Sequence, residues 1–89
     1  MKKKRERLDV IHDILTVVNQ KGKIGPTRLL QLSNLSPQMF RDYLEELLEN
    51  GLLSESHEDT RRTFSVADKG FLFLERYKVF TNFVDELGL

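Results

Sequence analysis

Through the first half of the chain, apolar residues recur at the spacing of one face of an α-helix. A first helix is predicted from Glu6 to Asn19, and its apolar stripe consists of Leu8, Ile11, Ile14, Leu15 and Val18. Gly22 follows as a typical helix-ending residue. After a linker at residues 24–27, which has room for a stub of strand, a short second helix is predicted from Thr27 to Ser33. Its apolar residues are Leu29, Leu30 and Leu32.

The pair Ser36-Pro37 predicts the start of a third helix, just after a tight turn at residues 34–35. A serine side chain accepts a hydrogen bond from the free N–H groups of a new helix, and proline fits the first helical position. The helix is predicted to run from Pro37 to Asn50, where Gly51 favours a left-handed end. Its buried stripe is predicted to consist of Phe40, Leu44, Leu47 and Leu48.

After Gly51 the pattern changes from the helical period to short strands. Strands are predicted at residues 52–56 and 62–66, with a turn at residues 57–60, and a last helix from Ala67 or Asp68 to Leu87. The predicted fold is mainly α with a small β-hairpin (α+β), in the order helix-helix-helix-hairpin-helix. We divide it into a basic arm (residues 1–7), a core domain (8–67) and a C-terminal helix (68–89).

Two helices joined by a short turn and followed by a hairpin are the elements of a winged helix-turn-helix. An α-helix fits the major groove of DNA, and the second helix of this motif points its N-terminal residues at base edges. The expected partner is therefore double-stranded DNA, with helix 37–50 in the major groove and hairpin 52–66 as the wing.

Composition supports one small domain but does not suggest a strongly basic DNA coat. The 89 residues have a formal net charge of +0 and include no cysteine, so we expect a reducing, cytoplasmic (nucleoid-associated) location. The charge is uneven, because residues 1–28 and 61–89 are net basic and residues 29–60 are net acidic. No apolar run is long enough to span a membrane, and no segment of the chain reads as a signal peptide.

Two stretches in series resemble the archaeal winged helix-turn-helix regulator family. The first contains Leu35-Ser36, Tyr43-Leu44, Leu47-Leu48 and Gly51-Leu52-Leu53, and the second runs from Asp68 to Tyr77. The resemblance is closest to ten-kilodalton archaeal DNA-binding proteins, and it implies a dimer formed by a C-terminal helix in an antiparallel coiled coil. The chain differs from the family in having Ala67 where threonine is common, so Asp68 is expected to cap the last helix. Its third helix is also poor in lysine.

The candidate DNA-binding residues lie on the second and third helices and on the wing: Arg28, Ser36, Gln38, Met39, Arg41, Arg61 and Arg62. Arginine and glutamine can read guanine and adenine, and arginines on a wing can contact phosphate or the minor groove. The alternatives are a solvated helix face, with Arg41 paired to Glu45, and an edge strand protected by charge. The basic arm either follows phosphates or is a solubilising terminus.

Other functions have weaker support in the sequence. Helix 37–50 also carries Asp42, Glu45, Glu46 and Glu49, which could instead dock a basic protein partner. Asp9, His12 and Asp13 share a helix face, but a solvated face explains them better than a metal site. With no phosphate-binding glycine loop and no recognisable catalytic arrangement, we expect neither an enzyme nor a cofactor, metal or small-molecule ligand.

The last helix carries a heptad seam that predicts a homodimer: Phe73, Tyr77, Phe80, Val84 and Leu87. Phe71 and Leu74 are expected to pack on the chain's own core domain, and the first helix could add to the interface. The alternative is that the seam folds back across the first helix of its own chain.

Overall fold

The computed structural model describes residues 7–89, so most of the predicted arm and Glu6 lie outside the described residues. Within that range the element order is the predicted one: helix, helix, helix, hairpin, helix. The elements are α1 (Arg7–Lys21), α2 (Pro26–Ser33), α3 (Pro37–Glu49), β1 (Leu53–Glu58), β2 (Arg61–Val66) and α4 (Asp68–Glu86). The predicted fold class is confirmed, and the helix ends differ from the prediction by one or two residues.

Helix α1 supplies the centre of the core through a stripe that differs from the predicted one at its first position. Its buried residues are Val10, Ile11, Ile14, Leu15 and Val18. The prediction that Leu8 is buried was wrong, because Leu8 lies one turn beyond the core and is 51% exposed. Leu8 is therefore on the surface at the start of α1, where it lies beside the C-terminal end of α4.

Helix α3 begins and ends as its sequence predicts. The Ser36 Oγ accepts a hydrogen bond from the backbone N–H of Met39 at 3.2 Å, which satisfies one of the free donors of the first turn. Asn34 has a φ of 63°, a left-handed conformation that asparagine tolerates and that turns the chain sharply between α2 and α3. Phe40, Leu44 and Leu47 are buried, whereas Leu48 is only partly buried against the core.

The hairpin is longer and its turn tighter than predicted. His57 pairs with Arg62 and Glu58 with Arg61, so these residues belong to the strands, and the prediction of a four-residue turn was wrong. The turn is Asp59-Thr60, in which Asp59 has a φ of 60°. Ile24 pairs with Phe64 through N–H···O bonds of 3.1 and 2.8 Å, which confirms the strand stub before α2. The base of the wing is therefore tied to the linker between α1 and α2.

Helix α4 leaves the wing in close contact with the end of α3. The backbone N–H of Ala67 donates to the Leu52 carbonyl at 3.0 Å, and Gly70 packs against the same carbonyl. Ala67 is the N-cap, so the prediction that Asp68 caps the helix was wrong. Asp68 instead lies in the first turn, where a negative charge is favourable.

Contacts with α1 hold the middle of α4. The Tyr77 ring stacks on His12 with a centroid distance of 4.1 Å, and its hydroxyl donates to Asp9. That hydrogen bond to a carboxylate raises the pKa of Tyr77 to about 12. Among residues 7–89, no helix combines the length and the apolar character needed to cross a membrane.

Candidate nucleic-acid interface

The exposed start of α3 carries a small polar network. Gln38 Nε2 donates to Asp42 Oδ1 at 3.0 Å, and Arg41 Nη2 donates to Gln38 Oε1 at 3.0 Å. Arg41 thus reaches back one turn to Gln38, and not forward to Glu45 as in the alternative of a solvated helix face. Ser36 and Met39 are exposed beside this network, with Met39 47% exposed. The first turn of α3 therefore presents a mixture of donors, acceptors and one apolar side chain.

A groove separates α3 from the wing, and an arginine from each element lines it. Its residues are Arg41, Leu44, Glu45, Leu48 and Arg62. Arg41 comes from the helix and Arg62 from the returning strand β2. Arg41, predicted to contact bases, and Arg62, predicted to contact the DNA backbone, therefore line one groove, together with one carboxylate.

A second groove lies between β2 and the start of α2. It is lined by Lys23, Arg28, Arg61 and Arg62, with backbone and small side chains between them and Glu58 at one end. Lys23 Nζ lies 3.4 Å from Glu58 Oε2. Arg28 and Arg61 are exposed, and within residues 7–89 neither side chain has an ion pair or hydrogen-bond partner. These two guanidinium groups are thus available to an external anion.

Arg62 belongs to both grooves, and its side chain is held from two sides. Its guanidinium carbon lies 4.9 Å from the centre of the Phe64 ring, and its Nε donates to Glu55 Oε2 at 2.5 Å. The Nε2 of His57 lies 2.9 Å from the same Glu55 oxygen. The hydrogen bond from Arg62 is the main reason why the pKa of Glu55 lies below its ordinary value.

Four of the predicted DNA-binding arginines line two adjoining grooves. Arg28, Arg61 and Arg62 line one groove, Arg41 and Arg62 line the other, and Arg62 joins them. Among the acidic residues of α3, Glu46 pairs with Arg7 and Asp42 accepts a hydrogen bond from Gln38, whereas Glu45 and Glu49 are exposed. The two grooves therefore offer basic side chains to an anionic partner.

Sequence reasoning missed three residues of this surface: Lys23, Glu55 and His57. Lys23 joins the groove only because the neighbouring Ile24 pairs with Phe64, which lies far away in sequence. Glu55 and His57 alternate along β1 on the face that carries Arg62 and Phe64, and the hairpin register decides that they meet. Glu55 lay in the predicted strand but His57 in the predicted turn, and the register that brings both to Arg62 could not be predicted from the sequence.

Asp9 and His12 take part in α4 docking, through the hydrogen bond and the ring stack with Tyr77. The Oδ1 atom of Asp13 lies 3.6 Å from Nδ1 of His12. Across the described part of the chain, no group of three or more histidine or carboxylate side chains is arranged to hold a metal ion. These residues therefore act in the structure as contacts between α1 and α4.

The five residues of the predicted dimer seam divide between two environments. Phe73 is partly buried against the core and Tyr77 packs on His12, both within the chain. Phe80 and Leu87 remain 60% and 56% exposed, and Val84 lines a groove beside Leu8. The prediction that Phe71 packs on its own core domain was wrong, since it is 50% exposed, whereas Leu74 does pack there.

Because α1 occupies one side of the seam, the uncovered apolar stripe is rotated around α4. We call this stripe the outer face of α4, and it consists of Leu72, Val79, Phe80, Phe83 and Leu87. Their exposed fractions lie between 46% and 61%. Helical spacing places all five on one side of the helix. Between Leu72 and Leu87 the same side also carries the exposed Arg76, and the remaining exposed apolar surface is typical of an interaction site.

Comparisons with known proteins give a consistent result. A family model described as winged helix-turn-helix matches residues 4–84. The chain is similar to the crystal structure of Sso10a-2, a DNA-binding protein from Sulfolobus solfataricus, with a TM-score of 0.76, 25% sequence identity, and coverage of 93% of this chain and 85% of that one. It is also similar in fold to the crystal structure of SSV1 F-93, with a TM-score of 0.68 and 19% sequence identity. That match covers 89% of this chain and 88% of the other. A search of curated proteins finds no match.

Proposed function

Because the chain belongs to the winged helix-turn-helix family, we propose that it binds double-stranded DNA, with α3 in the major groove and the β1–β2 hairpin as the wing. The observation that carries the proposal is the pair of adjoining grooves that share Arg62 and gather Arg28, Arg41 and Arg61. The similar protein Sso10a-2 is itself a DNA-binding protein. The expected role is that of a transcriptional regulator or minor chromatin component, acting in the cytoplasm on the nucleoid.

In this arrangement each basic residue has a distinct part. Arg41 and Gln38, at the start of α3, are positioned to contact base edges, since both have donors that match major-groove acceptors. Arg61 and Arg62 come from the returning strand and contact phosphate, whereas Asp59 in the turn and the neighbouring Glu58, whose Oε2 lies 3.4 Å from Lys23 Nζ, make no phosphate contact. Arg28 adds a phosphate contact from α2. Phosphate contacts position the protein, and base contacts supply the specificity.

The same proposal includes a homodimer formed through the outer face of α4. Burying the exposed parts of five apolar side chains on each of two copies contributes on the order of 10 kcal/mol. This is comparable with the cost of association, about 4–15 kcal/mol. Leu8 at the start of α1 adjoins Phe80 and extends the apolar surface. Two-fold symmetry would set two α3 helices at a multiple of the DNA turn, about 34–36 Å.

Replacing Arg61 and Arg62 together with alanine tests the DNA interface. Each phosphate contact releases counterions, so a plot of log affinity against log salt should flatten by about 0.9 for each lost contact. The measurement is fluorescence anisotropy with a labelled duplex at several salt concentrations. Lys78→Ala, which removes an exposed cation on α4, is the matched control and should leave the slope nearly unchanged.

An unchanged slope in the double variant would remove the wing from the interface. Wild-type protein that fails to bind any duplex selected from a random pool would contradict DNA binding itself. That second outcome would favour the alternative of a protein-interaction module with an acidic docking face.

A further inference from the structure

The wing holds an ionic cluster whose position at the junction of the two grooves bears on how strongly the protein binds its partner. Arg62, the one arginine that lines both grooves, is bound by Glu55 through its Nε. His57 stands directly opposite Arg62 in the hairpin register and contacts the same Glu55 oxygen. Glu55 therefore occupies, in the free protein, a donor of the arginine best placed to meet an external anion.

Glu55 is not the only contact that holds Arg62. The guanidinium carbon of Arg62 also lies 4.9 Å from the centre of the Phe64 ring, which is fully buried. Because Glu55 is negatively charged and lies beside Arg62, it repels the DNA phosphate that Arg62 is proposed to bind. The Glu55 charge persists, because the hydrogen bond from Arg62 keeps the pKa of Glu55 low. The net effect of Glu55 on a DNA complex should thus be unfavourable.

We propose that Glu55 is an internal competitor for Arg62, and that His57 takes over the Glu55 carboxylate when Arg62 turns to a DNA phosphate. The proposal rests on the proposed DNA binding and adds a regulatory step to it. Before binding, Arg62 and Glu55 neutralise each other. In the complex, phosphate replaces the carboxylate on Arg62, and Glu55 pairs with a protonated His57.

Proton uptake by His57 is then coupled to DNA binding. The charged groups near this cluster are Glu55 and Arg62 on the hairpin, Arg41 and Glu45 across one groove, and Lys23, Arg28, Glu58 and Arg61 along the other. Histidine is the side-chain type that ordinarily changes charge between about pH 5 and pH 8. Because a protonated His57 stabilises the released carboxylate, DNA affinity should rise as the pH falls. By linkage, DNA should equally favour protonation of His57.

The first test is Glu55→Gln, which keeps the shape of the side chain and an acceptor for Arg62 but removes the charge. At about pH 7.5 and fixed salt, this variant should bind a selected duplex about threefold to tenfold more tightly than wild type. Glu75→Gln on α4 is the control for a general change in charge, and it should leave affinity nearly unchanged.

The second test is pH dependence. Wild-type affinity should rise about threefold to tenfold from about pH 7.5 to about pH 5.5, and His57→Gln should flatten this dependence. The chain has one other histidine, His12, so His12→Gln is the matched control and should keep the wild-type dependence. Circular dichroism of each variant checks that the fold is retained.

Each outcome has a distinct meaning. A Glu55→Gln variant that binds equally or more weakly, while wild type binds normally, would overturn the inference and assign Glu55 to positioning Arg62. A pH dependence that survives in His57→Gln would overturn the role of His57. If wild type and Glu55→Gln both fail to bind DNA at every pH, the proposed function fails, and the inference falls with it.

Discussion

Replacing Gly70 with alanine is expected to lower the free energy of unfolding by about 3 kcal/mol, at the upper end of the range of about 1–3 kcal/mol for overpacking. A Cβ atom at this position would lie 2.3 Å from the Leu52 carbonyl oxygen and 2.7 Å from Val66 Cγ1. The first of these is a backbone atom, so the clash cannot be relieved by a rotamer change. The gain in helix propensity, about 1 kcal/mol, does not cancel it.

The cost should appear as a lower midpoint in chemical unfolding, followed by circular dichroism at one protein concentration. Gly25→Ala is the matched control, because its Cβ would meet its nearest neighbour, the Arg62 carbonyl oxygen, at an ordinary 3.5 Å. We expect Gly25→Ala to cost below about 1 kcal/mol, mostly through its N-cap position. Equal effects of the two substitutions would mean that α4 does not need its close approach to Leu52.

Phe80→Asp is expected to weaken the proposed homodimer by more than about 100-fold. Phe80 lies near the middle of the outer face of α4 and is 60% exposed in the single chain. Two copies of the side chain are removed per dimer, each contributing about 1.5–3 kcal/mol when buried. Two negative charges also enter the interface. Because Phe80 contributes little to the core, the chain itself should remain folded.

The measurement is the mass of each protein in solution by sedimentation equilibrium at micromolar concentration. Asn82→Asp adds the same charge at an exposed position of α4 outside the outer face and should leave the dimer intact. A wild-type monomer would remove the dimer from the proposed function. A Phe80→Asp variant that stays dimeric would move the interface to another surface.

Local signals predicted the helices and hairpin well, because each one acts within a few residues. Ser36 and Pro37 define the start of α3 whatever the rest of the chain does, and Gly51 ends its last turn with a φ of 77°. The wrong predictions concern burial and strand length, which depend on how the elements pack together. Leu8 has the correct spacing for a core residue but lies beyond the core, while Val10 is buried. The wing turn is shorter because the strand pairs continue to Glu58 and Arg61.

The candidate site was predictable as a set of basic residues but not as a surface. Helix-turn-helix logic pointed to Arg41 and to the wing arginines, whose positions follow from element order. The pairing of Ile24 with Phe64 brings Lys23 and Arg28 next to Arg61, and that pairing joins positions 40 residues apart. Likewise, the sequence predicts that the dimer seam from Phe73 to Leu87 forms one interface stripe. In the folded chain α1 covers Tyr77, so the free stripe is turned toward Leu72, Val79 and Phe83.

The hydrogen bond between Tyr77 and Asp9 gives the protein an optical reporter of its own. The chain has two tyrosines and no tryptophan, so its near-ultraviolet absorbance comes mainly from Tyr43 and Tyr77. In alkaline solution Tyr77 should ionise late, since its pKa is raised to about 12. The neutral hydroxyl stabilises the docked helix below about pH 10, and this contribution disappears as the pH rises toward 12. The late part of the rise in tyrosinate absorbance therefore reports the loss of the Tyr77–Asp9 hydrogen bond between α4 and α1, without any attached label.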